Sequence, residues 1–207
     1  MFEAFQASFP RDLSQSRARQ PTLGIPELQG LGELFDLFGN GSFREGLYRV
    51  VHPSALPYWQ KQMHLAFPEF KGRIICFGYD WLGRMFALDT GRCENNQPGV
   101  VMLEPGTGEV LEIPADLLDF HNVELIENED ACLASRFYQI WRASGGTVPE
   151  HDRCVGYKVP LFLGGDDEIE NLEDSSLDVY WHLTSQLIEQ TRDLPVGSPP
   201  DSITVKD

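Results

Sequence analysis

Residues 101–114 read VMLEPGTGEVLEIP. Two runs with apolar residues, 100–104 and 109–113, flank Pro105-Gly106-Thr107-Gly108. Proline presets one turn angle and glycine supplies a positive φ, so the chain should reverse here as a β-hairpin. Upstream, 73–77 and 85–88 have the length and composition of two more strands, with Gly78-Tyr79-Asp80-Trp81-Leu82-Gly83 as the turn between them. Residues 46–52, GLYRVVH, alternate apolar and polar at first and read as a further strand. Helical spacing appears in between. Phe2, Phe5 and Phe9 share one face, and Leu31, Leu34, Phe35 and Phe38 share another before Gly39-Asn40-Gly41 stops the helix. Ser54 is the expected N-cap of a helix with Pro57 in its first turn, Trp59, Met63 and Ala66 on its apolar face and Pro68 at its end. Pro114 and Asp116 open a short helical segment around Leu117, Leu118 and Phe120. The strongest helix is expected over 129–143, with Ala134, Phe137, Tyr138 and Trp141 on one face and Gly145-Gly146 at its end. Hairpins mixed with helices predict an α+β fold, helices packed against one mostly antiparallel sheet.

The stretch 154–181, CVGYKVPLFLGGDDEIENLEDSSLDVYW, carries the clearest functional signal. Residues 155–163 have the length of one buried strand, stopped by Gly164-Gly165. Then Asp166, Asp167, Glu168, Glu170, Glu173, Asp174 and Asp178 follow with no Lys or Arg among them. Ser175 with Asp178 three residues on resembles a capping box, and Tyr180, Leu183 and Leu187 form the expected buried stripe of a last helix ending near Arg192. Residues 10–30, with three prolines and two glycines, read as an irregular lead-in, and 194–207 as a frayed, flexible tail.

Charge is distributed unevenly along the 207 residues. Residues 1–103 hold ten acidic and ten basic side chains; residues 104–207 hold 22 acidic and six basic, so the whole formal charge of −16 arises in the second half. Such a field repels nucleic acid and anionic membranes and attracts basic proteins, although many acidic proteins use charge only for solubility. The four cysteines, Cys76, Cys93, Cys132 and Cys154, form no C-x-x-C pair, and three of them have apolar neighbours, as reduced packing thiols do. No signal-peptide pattern and no apolar run of about 20 residues is present, so a reducing cytoplasm is expected.

Catalytic and metal patterns fit poorly. His151 and Cys154 are the only close Cys/His pair, and Cys154 begins a buried strand. A zinc set of His121, Cys132, His151 and Cys154 has no familiar ligand spacing. Asp166, Glu168 and Glu170 alternate as calcium ligands do, but Asn171 and Leu177 stand where an EF-hand needs glycine and glutamate. No phosphate-binding glycine motif occurs. Asp80, between Tyr79 and Trp81, could be a contact residue or an acid, but the favoured reading is an Asx-turn that bonds its own backbone and spaces the two aromatics into the core. No catalytic residue, metal or cofactor is expected.

FGYDWLGRMFALD (77–89), the hairpin 101–114 and the stretch 154–181 together resemble the C-terminal domain of the type VI secretion DNase-immunity family, and FREGLYRVVHP (43–53) resembles the GAD-like region that often precedes it. The resemblance implies a GAD-like region over 1–66 and an immunity domain over 67–193. It also implies a cytoplasmic, non-catalytic protein that binds a cognate nuclease toxin. The resemblance supplies no contact residue; the charge of the acidic block makes Asp166, Asp167, Glu168, Glu170, Glu173 and Asp174 the candidates for a toxin-binding rim. The alternative is a small-ligand or nucleotide sensor with Tyr79, Trp81 and Tyr157 lining a pocket; a hydrolase centred on Asp80 is the third reading.

Overall fold

The hairpin read from 101–114 joins β5 (Gln97–Glu104) to β6 (Glu109–Ile113) and forms one edge of a six-stranded sheet. A computed structural model describes residues 1–12 and 26–192, together with Leu194 and Thr204. The remaining parts of the expected lead-in and tail lie outside the described residues. The other strands are β1 (Ser42–Phe43), β2 (Tyr48–Val50), β3 (Ile74–Asp80) and β4 (Met85–Glu94). Their spatial order follows the chain and every pairing is antiparallel. The expected α+β class is therefore the observed one. All of β3, Met85–Asp89 of β4 and 99–103 of β5 are buried, so the middle of the sheet is covered on both faces.

One cover is aromatic. Helix α1 (Glu3–Ser8) and helix α2 (Leu31–Phe38) bring Phe2, Phe5 and Phe38 against Phe43, Tyr48 and His121, mostly edge to face at 5.0–6.0 Å. Phe77, Phe86 and Phe120 continue the cluster. Asp116 caps the helix that supplies Phe120, accepting hydrogen bonds from the Leu118 and Asp119 N–H groups at 2.9 and 3.0 Å. That helix runs as α4 (Leu117–Asp119), a π-helical turn (Phe120–Glu124) and α5 (Leu125–Glu127). The second cover is the pair α3 (Leu56–Ala66) and α8 (Leu177–Thr191), which pack on each other while α3 packs on β3. Arg192 ties the pair by donating to the Leu65 and Ala66 carbonyls at the end of α3.

His121 sits at the centre of the aromatic cover with no solvent exposure. Its Nδ1–H donates to the Leu117 carbonyl at 2.8 Å, and Nε2 lies 2.9 Å from the Tyr48 hydroxyl, which donates to it. Burial lowers its pKa from 6.5 to about 4, against the opposing pull of the Leu117 carbonyl. The folded state thus holds the neutral ring. Below pH 6.5 the unfolded chain gains a proton that the folded chain refuses, so stability falls as pH drops from about 6.5 to about 4. The shift corresponds to about 3 kcal/mol across that window. Urea titrations at neutral pH and at about pH 4.5 should show the loss. His121→Gln should lose less by a comparable margin, and an unchanged pH slope would refute the assignment.

Several local expectations need correction. The turn expected over 78–83 is shorter, because β3 continues to Asp80 to pair with β2, with Tyr48 opposite Asp80 and Val50 opposite Gly78. Gly78 follows a bulge, and a Cβ there would lie 2.6 Å from the Tyr48 hydroxyl. Ser54 does not cap α3: it lies in a preceding 3-10 turn, Pro53–Ala55, where its N–H donates to His52 Nδ1 at 3.2 Å. Pro57 does lie in the first turn of α3, and Trp59, Met63 and Ala66 are buried.

The helix expected over 129–143 is broken at Ala134, whose φ is +48°. It divides into α6 (Glu129–Leu133) and α7 (Ser135–Ala143). The carbonyls freed at the end of α6 have tertiary partners: Trp81 Nε1 donates to Leu133 O at 2.9 Å and Arg84 Nη2 to Cys132 O at 3.1 Å. Asp130 then caps the restart by accepting from the Arg136 N–H at 2.8 Å. The buried stripe of α8 also differs: Leu177, Tyr180, Trp181, Thr184, Ser185 and Ile188 face inward, while Leu183 is exposed and Leu187 half-buried. The Ser175–Asp178 capping box is absent, since Ser175 belongs to a strand and Ser176 holds the N-cap position without a side-chain bond.

Candidate protein–protein interface

Strand 155–163 was expected to be continuous. Instead β7 (Arg153–Tyr157) ends early, and Pro160, which has no N–H to donate, leads into a 3-10 turn at Leu161–Leu163. The acidic block then folds back as a second 3-10 turn, Ile169–Asn171, and a strand, β8 (Leu172–Ser176), that no sequence signal announced. β7 and β8 form a separate two-stranded antiparallel sheet with Val155 opposite Asp174 and Tyr157 opposite Leu172. The sheet is anchored to the main body. The Val155 N–H donates to Trp81 O at 2.7 Å, and Trp181 Nε1 of α8 donates to Gly83 O at 2.7 Å. Gly156 lets α8 approach closely, because a Cβ there would lie 2.6 Å from the Tyr180 ring.

Asn171 organises the loop between the strands. Its Oδ1 accepts from the Val159 N–H at 3.0 Å, and its Nδ2 donates to the Val159 and Asp166 carbonyls at 2.9 Å each. The Lys158 N–H donates to Asn171 O, and the Leu161 N–H to Gly106 O in the β5–β6 turn. Asn171→Ala should release the Val159 N–H and the Val159 and Asp166 carbonyls together. The expected cost is about 1–3 kcal/mol, with faster amide exchange at Val159 and unchanged exchange in β4 and β5. Unaltered exchange at Val159 would show that the side chain is dispensable.

All six acidic residues singled out above, Asp166, Asp167, Glu168, Glu170, Glu173 and Asp174, are exposed on this loop and on β8. The fold also brings basic and phenolic partners that the local sequence lacks. Arg153 Nε reaches both oxygens of Asp174 at 2.9 Å, Lys158 Nζ donates to the Glu170 carbonyl at 2.7 Å, and the Tyr157 hydroxyl donates to Asp167 Oδ1 at 2.6 Å. Asp167 and Asp174 are thereby held in place. Arg153, Tyr157, Lys158 and Asn171 were not recognisable as supports, because the β7–β8 register that positions them is set by long-range packing. Half-buried Glu104 of β5 is close enough to feel the same charges: burial raises its pKa, Arg84 opposes this, and Asp80, Asp167 and Glu109 add to the rise. Among the described residues β8 pairs only with β7, so its outer edge presents backbone groups beside Glu173 and Asp174. Charged edges of this kind resist unspecific strand pairing while remaining available to a complementary partner.

The other sequence candidates lie elsewhere in different roles. Cys154 is fully buried, and burial pushes its thiol upward, opposite to the shift that activates a nucleophile. Among the described residues, no group of three or more His, Cys, Asp or Glu side chains is arranged to hold a metal ion. Asp80 forms the Asx-turn: its Oδ1 accepts from the Leu82 and Arg84 N–H groups at 3.0 Å, and its Oδ2 accepts from Arg84 Nε at 2.6 Å. Trp81 packs against Phe137 and Tyr138, Tyr79 lies under the Arg49 guanidinium, and Tyr157 holds the acidic loop. Among the described residues no helix is long and apolar enough to cross a membrane.

Comparison with known proteins bears on the same region. No curated protein matches the chain. The crystal structure of Atu4351 from Agrobacterium tumefaciens has a similar fold, with a TM-score of 0.65 over 90% of this chain and 89% of that one at 15% identity. The family model described as "T6SS immunity protein Tdi1, C-terminal" matches residues 123–188, a segment that contains α6, α7, both strands of the small sheet and most of α8. Residues 123–188 are thus similar to the C-terminal domain of a type VI secretion immunity protein, Tdi1.

Proposed function

We propose that this chain is a cytoplasmic, non-catalytic immunity protein that binds and neutralises a cognate type VI secretion DNase. The match of residues 123–188 to an immunity family carries the reading. The exposed acidic surface on the small sheet and its loop supports the finer mechanism. A DNase must offer a positive surface to phosphate. Asp166, Glu168 and Glu170, from a loop that Asn171 and Tyr157 hold in shape, and Glu173 on β8 offer competing negative charge. Occupation of the DNA-binding or active-site surface would keep the toxin from the cell's own DNA, and complementary charge would speed the encounter. The acid side chains provide the rim; tight binding also needs a few well-packed apolar or aromatic anchors.

The test is co-purification with the product of the adjacent gene, followed by DNA cleavage by that product with and without this protein. A stable complex in which cleavage stops supports the proposal. A neighbour that binds while its nuclease activity continues would refute neutralisation, and a neighbour with no DNA-damaging activity would refute the DNase assignment.

A further inference from the structure

Helices α3 and α8, together with Thr204, line an open groove of ≈ 440 Å³ whose polar lining includes Lys61, Gln62, Gln186, Glu189 and Gln190. Gln62 and Gln186 are buried. Thr204, 13 residues beyond the end of α8, forms one wall of the same groove. Its backbone is bound at both ends by one side chain: the Thr204 N–H donates to Gln190 Oε1 at 3.0 Å, and Gln190 Nε2 donates to Thr204 O at 3.0 Å. The second proton of that amide nitrogen goes to the Gln186 carbonyl, also at 3.0 Å. The helix therefore holds the Gln190 amide in the orientation that the backbone of Thr204 requires. A side-chain amide paired with one residue's N–H and C=O reproduces the two-bond exchange of neighbouring β-strands. It reads backbone, so it accepts an extended peptide with little regard to side chain.

We propose that the Gln190 side of the α3–α8 groove is a binding site for extended peptide backbone, and that its occupant is this chain's own backbone at Thr204, docked in cis. The site is remote in sequence from the acidic loop and does not depend on the partner assigned above.

Amide hydrogen exchange on the full-length protein tests the proposal. The Thr204 amide should exchange at least about tenfold more slowly than in an unfolded chain. Gln190→Ala should abolish that protection while the β4 and β5 amides stay protected, which shows that the variant is folded. Thr204→Pro removes the donated N–H and should shift the Gln190 side-chain resonances. Protection should be the same across a wide range of protein concentration. Unfolded-rate exchange at Thr204 in the unaltered protein would overturn the proposal. Protection that grows with concentration would also overturn it, since a second copy would then fill the groove.

Discussion

Replacing Arg84 with methionine should destabilise the protein by about 3–5 kcal/mol, because it leaves the Asp80 carboxylate buried without its charge partner. Asp80 has no exposure, and the Arg84 side chain has 8%. Arg84 Nε lies 2.6 Å from Asp80 Oδ2 and its Nη2 lies 2.5 Å away, a close paired geometry. Burial works against the arginine's charge, but Asp80 more than offsets this, so the Arg84 pKa stands above its ordinary value. The same Nη2 donates to Cys132 O, so Arg84 links the β3–β4 turn to the end of α6. Loss of the side chain removes an ion pair and a helix-end cap together. Equilibrium urea unfolding would report the cost as a lower midpoint with an unchanged slope. Asp80→Asn combined with Arg84→Met should recover part of it, since the stranded charge is gone. A loss below about 1 kcal/mol in the single variant would mean that water or a nearby group compensates Asp80, and the pair would not be the buried tie described above.

That tie also explains where sequence reasoning succeeded and failed. The hairpin at 105–108, the helix at Leu31–Phe38 and the Asx-turn at Asp80 were legible because each is specified by residues within a few positions. Ala134 was not legible. Nothing local demands a positive φ from alanine there; the break answers Trp81 and Arg84, about fifty residues away, which take the last carbonyls of α6. β8 was missed for a related reason. LEDSS has little β propensity, and it becomes a strand because β7, fixed to Trp81 and close to Tyr180, presents an edge to pair with. The exposure of the acidic residues followed from their composition. That Asp167 and Asp174 have fixed partners while Asp166, Glu168, Glu170 and Glu173 make no side-chain ion pair in the described structure depends on the β7–β8 register.

This division within the acidic strip leads to the second large effect. Asp166, Glu168, Glu170 and Glu173 changed together to lysine should slow association with the cognate toxin by about a hundredfold at low salt. Each reversal shifts the charge by two units, so the four take the formal net charge from −16 to −8. Asp167 and Asp174 remain, so the Tyr157 and Arg153 contacts that shape the loop are retained. Because all four positions are exposed, unfolding stability should change little, within about 0.5 kcal/mol per site. The rate loss should shrink as salt rises and the Debye length contracts. Stopped-flow association across a salt series separates two mechanisms. A steering surface changes the association rate and its salt dependence, while dissociation moves less. A contact surface that packs against the toxin's active site also speeds dissociation, since charges buried at an interface leave unpaired groups behind when altered. An association rate independent of both salt and the four reversals would refute the acidic-face mechanism. The proposed immunity role would survive that result, because it rests on the match of residues 123–188 to an immunity family model rather than on the charge of the acidic strip.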